Sequence, residues 1–311
     1  MAENTVRLDN ISDEISCPSP RPAARMHLIG LSILCSVLVS VLLKLAPRKR
    51  LDVAQMVTWN YLVAAVLCAL LLRPDLGSLR SAGGHWWVLL GLGVLLPSLF
   101  LVLANAVRQA GIVRTDVAQR LSLLLSLIAA FTVFGETASV VKLLCLALGL
   151  VAVAGILARP ASTGNERMVW MPLLTVWVGF ACVDVLLKLV AQSGTPSMAS
   201  LQVAFVLAFV LMAGWQTFRH VRGKAHLDGS SFAAGLLLGL LNFGNIVFYV
   251  RAHQALPESP AVVFAAMNIG VVVLGTLVGV AVFQEKTSRW NRLAIALAIV
   301  AIALIAYAPR G

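Results

Sequence analysis

Residues 26–46 read MHLIGLSILCSVLVSVLLKLA, an apolar stretch broken only by small polar side chains, one histidine and a lysine near its end. A helix of about 20 such residues crosses a bilayer core about 30 Å thick. Nine further stretches have this character, and the ten together are 26–46, 53–72, 86–106, 115–134, 139–158, 168–190, 197–218, 232–250, 260–283 and 290–308. The sequence therefore predicts an all-α integral membrane protein with ten transmembrane helices.

The composition agrees with this class. Of 311 residues, 60% are hydrophobic and 12% are charged, whereas soluble proteins have about 45–50% apolar and about 25% charged residues. This excludes a soluble enzyme, a nucleic-acid-binding module and a disordered chain. The net charge of +11 falls mostly in the links between apolar runs, where basic residues meet lipid headgroups. We therefore expect the lipid bilayer, and no nucleic acid, as a partner.

Two short motifs occur twice. The first predicted span ends in SVLLKLA (40–46) and the sixth in DVLLKLVA (184–191); the fourth closes in TVFGET (132–137) and the ninth in AVFQEK (281–286). These repeats predict two five-helix halves, 26–158 and 168–309, after a polar, disordered tail over 1–25. Because five is odd, the second half enters the membrane in the opposite sense, which makes an inverted repeat. Chance recurrence of short apolar strings is the competing explanation.

Ionisable residues within the apolar runs are candidates for function, because a charge at membrane depth is costly. Asp184 and Lys188 lie four residues apart on span six and share a helix face. A carboxylate beside a base can exchange a proton, which predicts a coupling role for both. A static ion pair with Lys188 extended to the headgroups also fits. Lys44 holds the matching place on span one and is a candidate for binding a substrate anion, or it too reaches the headgroups.

Span four opens with VRTDVAQRLS, in which Asp116 and Arg120 are four residues apart with Gln119 beside them. The planar guanidinium of Arg120 suits a carboxylate or phosphate on a substrate. We predict that Arg120 and Gln119 line a solute cavity, while mutual neutralisation of Asp116 and Arg120 is the alternative.

Neutral polar side chains interrupt several other spans. They are Asn60 and Tyr61 in span two, Asn242, Asn245 and Tyr249 in span eight, and Asn268 in span nine. The three in span eight are spaced to form one stripe along a helix. Together the set predicts substrate-binding residues around a central cavity, and hydrogen bonding between helices is the competing explanation.

Two further features indicate structure rather than chemistry. Glu136 and Glu285 end spans four and nine, and their symmetric positions predict a structural role at helix ends. GxxxG spacings at 235–239 and 275–279 predict close helix packing.

Enzymatic signatures are missing from the sequence. HExxH, GxSxG and the phosphate-binding GxxxxGK[ST] do not occur, and the five cysteines form no CxxC motif. We therefore expect no enzyme activity, no cofactor and no metal site.

The chain resembles the drug/metabolite transporter superfamily, EamA type. The resemblance rests on the ten spans in two halves, on TVFGE and AVFQEK, and on KLAPRKRLDVAQMVTWNYLVAA (44–65), VRTDVAQRLSL (113–123) and NIVFYVRAHQALPESPAVVFAAMNIGVVV (245–273), which are similar to the EamA/RhaT-like bacterial members. It implies a secondary transporter in the bacterial cytoplasmic (inner) membrane, with a cavity lined by spans one to four and six to nine. It also implies cytoplasmic termini, whereas the distribution of basic residues favours termini outside.

These observations predict a transporter that moves a small polar or zwitterionic metabolite, such as an amino acid or a sugar, by alternating access. A proton-driven cycle and an uncoupled exchanger or facilitator both fit, as do a monomer and a homodimer. A non-transporting membrane partner or sensor is the alternative from another class, and it predicts a packed midplane without a solute-sized cavity.

Overall fold

The computed structural model describes residues 22–77, 86–132, 143–144, 147–148, 151, 167–192, 197–225, 227–256, 260–285 and 289–307. Over these residues the regular structure is helical. The α-helices are α1 (Pro22–Leu45), α2 (Val53–Leu67, continued by a π-helical turn, Cys68–Leu72), α3 (Trp86–Ala110), α4 (Ile112–Arg120), α5 (Ser122–Thr132), α6 (Arg167–Gln192), α7 (Ser197–Val221), α8 (Gly229–Ala255), α9 (Pro260–Ala281) and α10 (Arg289–Tyr307).

Within this part of the chain, seven helical segments are long and apolar enough to cross a membrane. The predicted all-α, multi-pass membrane class is thereby confirmed. Helix α1 begins at Pro22, inside the predicted tail over 1–25, and proline suits a first helical position because its missing N–H has no partner there. The rest of that tail and most of the predicted fifth span, 139–158, lie outside the described residues.

The predicted fourth span, 115–134, differs most from the structure. In place of one helix there are two, α4 and α5, broken at Leu121. Two carbonyls at the break are satisfied from the side: the Ser122 hydroxyl donates to Gln119 O at 2.7 Å, and the Trp177 indole donates to Leu121 O at 2.9 Å. A backbone break at membrane depth is tolerated where such partners exist.

Both glycine pairs lie at helix–helix contacts, so the predicted packing role is confirmed. A Cβ at Gly239 of α8 would lie 2.6 Å from the Val63 Cβ of α2, and one at Gly235 would lie 2.9 Å from Met56 O. The second GxxxG glycine pair, at 275–279 on α9, lies against α4 in the same way. These seams join elements of the first predicted half to elements of the second.

One end of the bundle gathers charged groups, and we call it the charged face. It contains the ends of α1, α3, α7 and α9 and the starts of α2, α4 and α8. Here Asp52 accepts two N–H bonds at the start of α2, and its carboxylate meets the Arg219 guanidinium at 3.1 and 3.0 Å. The backbone N–H of Asp52 also donates to the Ser231 hydroxyl at 2.8 Å. Helices α2, α7 and α8 are thereby tied together at this face.

Candidate functional site

Glu285 holds the N-terminus of α4. Its two carboxylate oxygens accept the backbone N–H of Ile112 at 2.8 Å and of Val113 at 3.2 Å. These donors have no partner within their own helix, and a negative charge is favoured at a helix N-terminus. The structural role predicted for Glu285 is confirmed, with the difference that it stabilises the start of α4 rather than the end of its own helix.

Lys44 completes this arrangement. Its Nζ lies 3.3 Å from Glu285 Oε1 and donates to Val107 O at 3.0 Å. The prediction that Lys44 binds substrate is therefore not supported by its position, because the residue lies at the charged face, away from the cavities described next. The Lys44 charge within an apolar segment is explained by its pairing with Glu285, which lies in the other half of the chain. The sequence around Lys44 does not reveal this partner.

A cavity of about 270 Å³ lies between α4, α5, α6, α8 and α9, and we call it the Arg120 cavity. In α6 and α8 its lining residues come from the second half of the helix, and in α9 they come from the first half. The cavity therefore lies in the half of the bundle away from the charged face. Six of the residues predicted from the sequence line it: Gln119, Arg120, Asp184, Asn245, Tyr249 and Asn268. The sequence-based prediction of a polar cavity formed by several helices thus matches a cavity in the structure.

Arg120 is the last residue of α4, where a cation complements the partial negative charge of the helix C-terminus. Its guanidinium donates to Asn268 Oδ1 at 3.2 Å and to the Ser36 hydroxyl at 3.0 Å. Its Nε is buried with no hydrogen-bond partner in the described part of the chain. Arg120 thus presents a fixed, incompletely paired cation to the cavity, which suits an incoming carboxylate or phosphate.

Asp184 lines the same cavity and accepts a hydrogen bond from the Ser126 hydroxyl of α5 at 2.9 Å. Lys188, one turn further along α6, lines neither of the two cavities described here. The cation that shares the cavity with Asp184 is Arg120. A ligand in this space would therefore meet both signs of charge.

A second cavity, of about 210 Å³, adjoins the first and reaches toward α1, α2, α3 and α7. Gln119 and Asn245 line both cavities, together with Phe180 and Ile246. Asn245 is held in place because its Oδ1 accepts a hydrogen bond from the Ser32 hydroxyl at 2.8 Å. These shared side chains make the two spaces parts of one polar region inside the helix bundle.

The remaining predicted residues surround the second cavity. Asn242 and Tyr61 line it, and Asn242 donates to Asn60 Oδ1 at 3.1 Å. Asn60 itself is fully buried beneath this lining. Asn60 therefore holds the Asn242 side chain in place through a hydrogen bond between α2 and α8. For this pair the structure matches the competing explanation, hydrogen bonding between helices.

Sequence reasoning missed Ser36, Ser40 and Ser126, whose hydroxyls contact the charged groups. Ser36 and Ser40 are four residues apart on α1 and line the second cavity together. That spacing was visible in the sequence, but serine in an apolar helix often bonds its own backbone carbonyl, as Ser98 does here with Val94 O. Only the partners in other helices reveal the role of these serines.

The model of the EamA-like transporter family matches residues 26–158. A protein of Haemophilus influenzae, itself described as uncharacterized, is 40% identical over 290 residues, which cover 91% of this chain and 98% of the relative. A solved crystal structure with 16% identity has a TM-score of 0.55 and covers 91% of this chain and 96% of its own. At that identity the likeness concerns the fold alone.

Proposed function

The chain belongs to the EamA-like transporter family, and on this premise we propose that it is a secondary transporter which carries a small polar solute by alternating access. The observation that supports this most is the Arg120 cavity, where a cation, a carboxylate and several amide side chains face one space between five helices. The alternative of a non-transporting sensor, which requires a packed midplane, is disfavoured by the same cavity.

The chemistry of the lining suggests how a solute is held. Arg120 binds an anionic group through its guanidinium, while Asp184 faces an ammonium or hydroxyl group. Gln119, Asn245 and Asn268 orient the solute through hydrogen bonds. A cavity of about 270 Å³ accommodates a solute the size of an amino acid or a single sugar, below the usual range for drug-sized ligands.

We further propose ten spans arranged as an inverted repeat. In such a repeat α1 corresponds to α6, α2 to α7, and α3 to α8. The contact of α1 with α8 then corresponds to that of α6 with α3, and the contact of α2 with α8 to that of α7 with α3. All four contacts are present among the described helices, and this pairwise agreement supports the two-fold relation.

Alternating access requires the two faces to open in turn. The charged face is bridged by the Lys44–Glu285 and Asp52–Arg219 pairs, whereas the Arg120 cavity lies in the opposite half of the bundle. We propose that the structure corresponds to the state closed at the charged face, and that these pairs separate in the other state. We propose that the membrane is the bacterial cytoplasmic membrane.

The energy source is a separate question. Asp184 is a candidate for proton coupling because it lines the cavity with Arg120, and exchange or facilitated diffusion is the alternative. An imposed pH gradient across liposomes discriminates between them. Solute accumulation that follows the gradient supports proton coupling, whereas indifference to the gradient supports exchange.

The proposed function is tested by a thermal-shift screen of the purified protein against amino acids, sugars, nucleotide sugars and organic acids. A ligand at a hundredfold excess over its Kd stabilises the folded state by about 2.7 kcal/mol. We expect one chemical class to raise the melting temperature, and the shift to disappear in Arg120→Ala and Asn245→Ala. Arg108→Ala, which removes an exposed arginine on α3, is the matched control and keeps the shift.

Hits are then tested for counterflow into liposomes that contain the protein. Flux that depends on Arg120 supports the proposal. Binding that survives in Arg120→Ala would place the solute elsewhere, and binding without any flux would favour a sensor.

A further inference from the structure

Asp116 is a second carboxylate at membrane depth, four residues before Arg120 on α4. Its side chain is only 2% exposed. One oxygen, Oδ1, accepts a hydrogen bond from the Ser40 hydroxyl at 2.9 Å. The other, Oδ2, is buried with no hydrogen-bond partner in the described part of the chain. An ionised carboxylate in such a place lacks the several donors that normally offset its removal from water.

The groups around Asp116 do not supply what is missing. A Cβ at Gly275 would lie 2.5 Å from Asp116 Oδ2, so the backbone of α9 faces this oxygen directly. Arg120, one turn further along α4, directs its Nη atoms to Asn268 and Ser36 instead. Glu285, which follows α9, is a second negative charge near the start of α4.

Arg120 interacts electrostatically with both Asp116 and Asp184. Two further cations near α4, Arg114 and Lys44, interact with Glu285 instead. A solute that brings an anionic group to Arg120 would add a negative charge in a region of low dielectric. Uptake of one proton at the same time would offset that charge.

We propose that Asp116 is the proton-binding residue of the transport cycle, and that it takes up a proton when an anionic group of the solute occupies Arg120. This inference rests on the proposed function, because it presupposes transport of a solute that binds at Arg120. It assigns the coupling role to a residue that does not line the Arg120 cavity. It differs from coupling at Asp184, where the proton and the solute would share one space.

The hydroxyl of Ser40 connects the second cavity to Asp116. Ser36 accepts a hydrogen bond from Arg120, and Ser40 donates one to Asp116. The two serines lie one turn apart on α1, and their two charged partners lie one turn apart on α4. Both serines line the second cavity. Ser40 passes its hydroxyl proton to Asp116 Oδ1 while Ser40 Oγ takes a proton from a hydronium ion that enters that cavity, which leaves a neutral water behind. The net result is one proton moved from the cavity to Asp116.

The consequence for transport follows from linkage. The Asp116 carboxylate repels a solute anion bound at Arg120, so protonation of Asp116 strengthens anion binding, and anion binding strengthens proton binding by the same factor. A proton and a solute with an anionic group therefore move in the same direction.

The test does not need the solute. Infrared spectroscopy of the full-length protein in lipid detects the C=O stretch of a protonated carboxylic acid, which ionised carboxylates lack. As the pH is lowered, all 13 Asp and Glu residues contribute to this band, so the diagnostic result is the difference between variant and wild type. We expect a component of the wild-type band to be missing in Asp116→Asn and to persist in Asp184→Asn. An Asp116→Asn spectrum that matches the wild type, or the same component lost in Asp184→Asn instead, overturns the proposal.

Two serine variants keep the proposal testable if Asp116→Asn does not fold. Ser40→Ala removes the hydroxyl beside Asp116 Oδ1, so the C=O band should move to higher frequency because the O–H of the protonated acid loses its hydrogen-bond acceptor. Ser98→Ala, which removes a hydroxyl bonded to Val94 O of its own helix, is the control and should leave the band in place. An unchanged band in Ser40→Ala would overturn the assignment. Failure of the solute screen would leave the infrared result intact, so the two proposals fail separately.

Discussion

Replacing Glu285 by alanine removes three interactions at the charged face in one step. The variant loses two backbone N–H bonds at the start of α4, of 2.8 and 3.2 Å, and the ion pair with Lys44 at 3.3 Å. Hydrogen bonds to a charged group contribute about 1.5–3 kcal/mol each. Removing one partner of a largely buried pair costs about 3–5 kcal/mol. Because the Lys44 and Glu285 side chains are only 16% and 13% exposed, we expect Glu285→Ala to lower the free energy of unfolding by about 4 kcal/mol.

Replacing Lys44 by alanine should cost much less. Glu285 would keep both N–H bonds and would still lie at the positive end of α4, so we expect a loss of about 1–2 kcal/mol. The double variant should be about as stable as Glu285→Ala alone, because the ion pair is already lost there. Glu285→Gln keeps one acceptor oxygen and should fall between the two single alanine variants.

Equilibrium unfolding in mixed detergent micelles, followed by tryptophan fluorescence, measures these differences. The order of the variants is the diagnostic result. If Lys44→Ala were as costly as Glu285→Ala, the ion pair rather than the helix N-terminus would be the main interaction. A loss below about 1 kcal/mol for Glu285→Ala would refute the reasoning, since even one charged hydrogen bond contributes more than that.

Two further variants test the packing and the charged face. Gly239→Ala places a Cβ 2.6 Å from the Val63 Cβ and should cost about 1–3 kcal/mol by overpacking; in Gly214→Ala, where nothing lies within 4 Å, stability should rise by about 0.5–1 kcal/mol. Asp52→Ala loses both the N-cap of α2 and the Arg219 pair and should cost about 2 kcal/mol, whereas Asp52→Asn keeps a capping oxygen and should cost about half as much. Thermal unfolding of the purified variants measures the difference in stability within each pair. Equal changes in stability within a pair would contradict the helix contact or the N-cap on which that prediction rests.

Among the residues that the structure describes, the helices outside span four were predictable because the decisive signal is local. A run of about 20 apolar residues has few ways to exist other than as a membrane-spanning helix. The break at Leu121 was not predictable, since SLLLSLIAAF over 122–131 contains neither proline nor glycine. The break depends on Trp177, which donates to the freed carbonyl from α6.

The candidate site was predictable in its residue types and less so in its partners. Polar side chains in apolar spans are rare enough to mark the cavity, and Arg120 and Asn245 were found in this way. Lys44 carries the same signal, yet its partner is Glu285. Sequence shows that a charge at depth needs a partner, but only the fold shows whether that partner is protein or solute.

The attachment of Glu285 to the start of α4 also has a consequence for synthesis in the cell. The carboxylate is 173 residues further along the chain than Ile112, whose N–H it accepts. At a translation rate of about 5–20 residues per second, α4 lacks the Glu285 carboxylate at its N-terminus for on the order of ten to thirty seconds. During that interval the first helices are present without α8 and α9, and Asp116 and Arg120 lack their final neighbours. The nascent first half therefore passes through a stage in which insertion machinery or membrane proteases can distinguish it from the finished protein, and slowing translation after α5 should lengthen that stage.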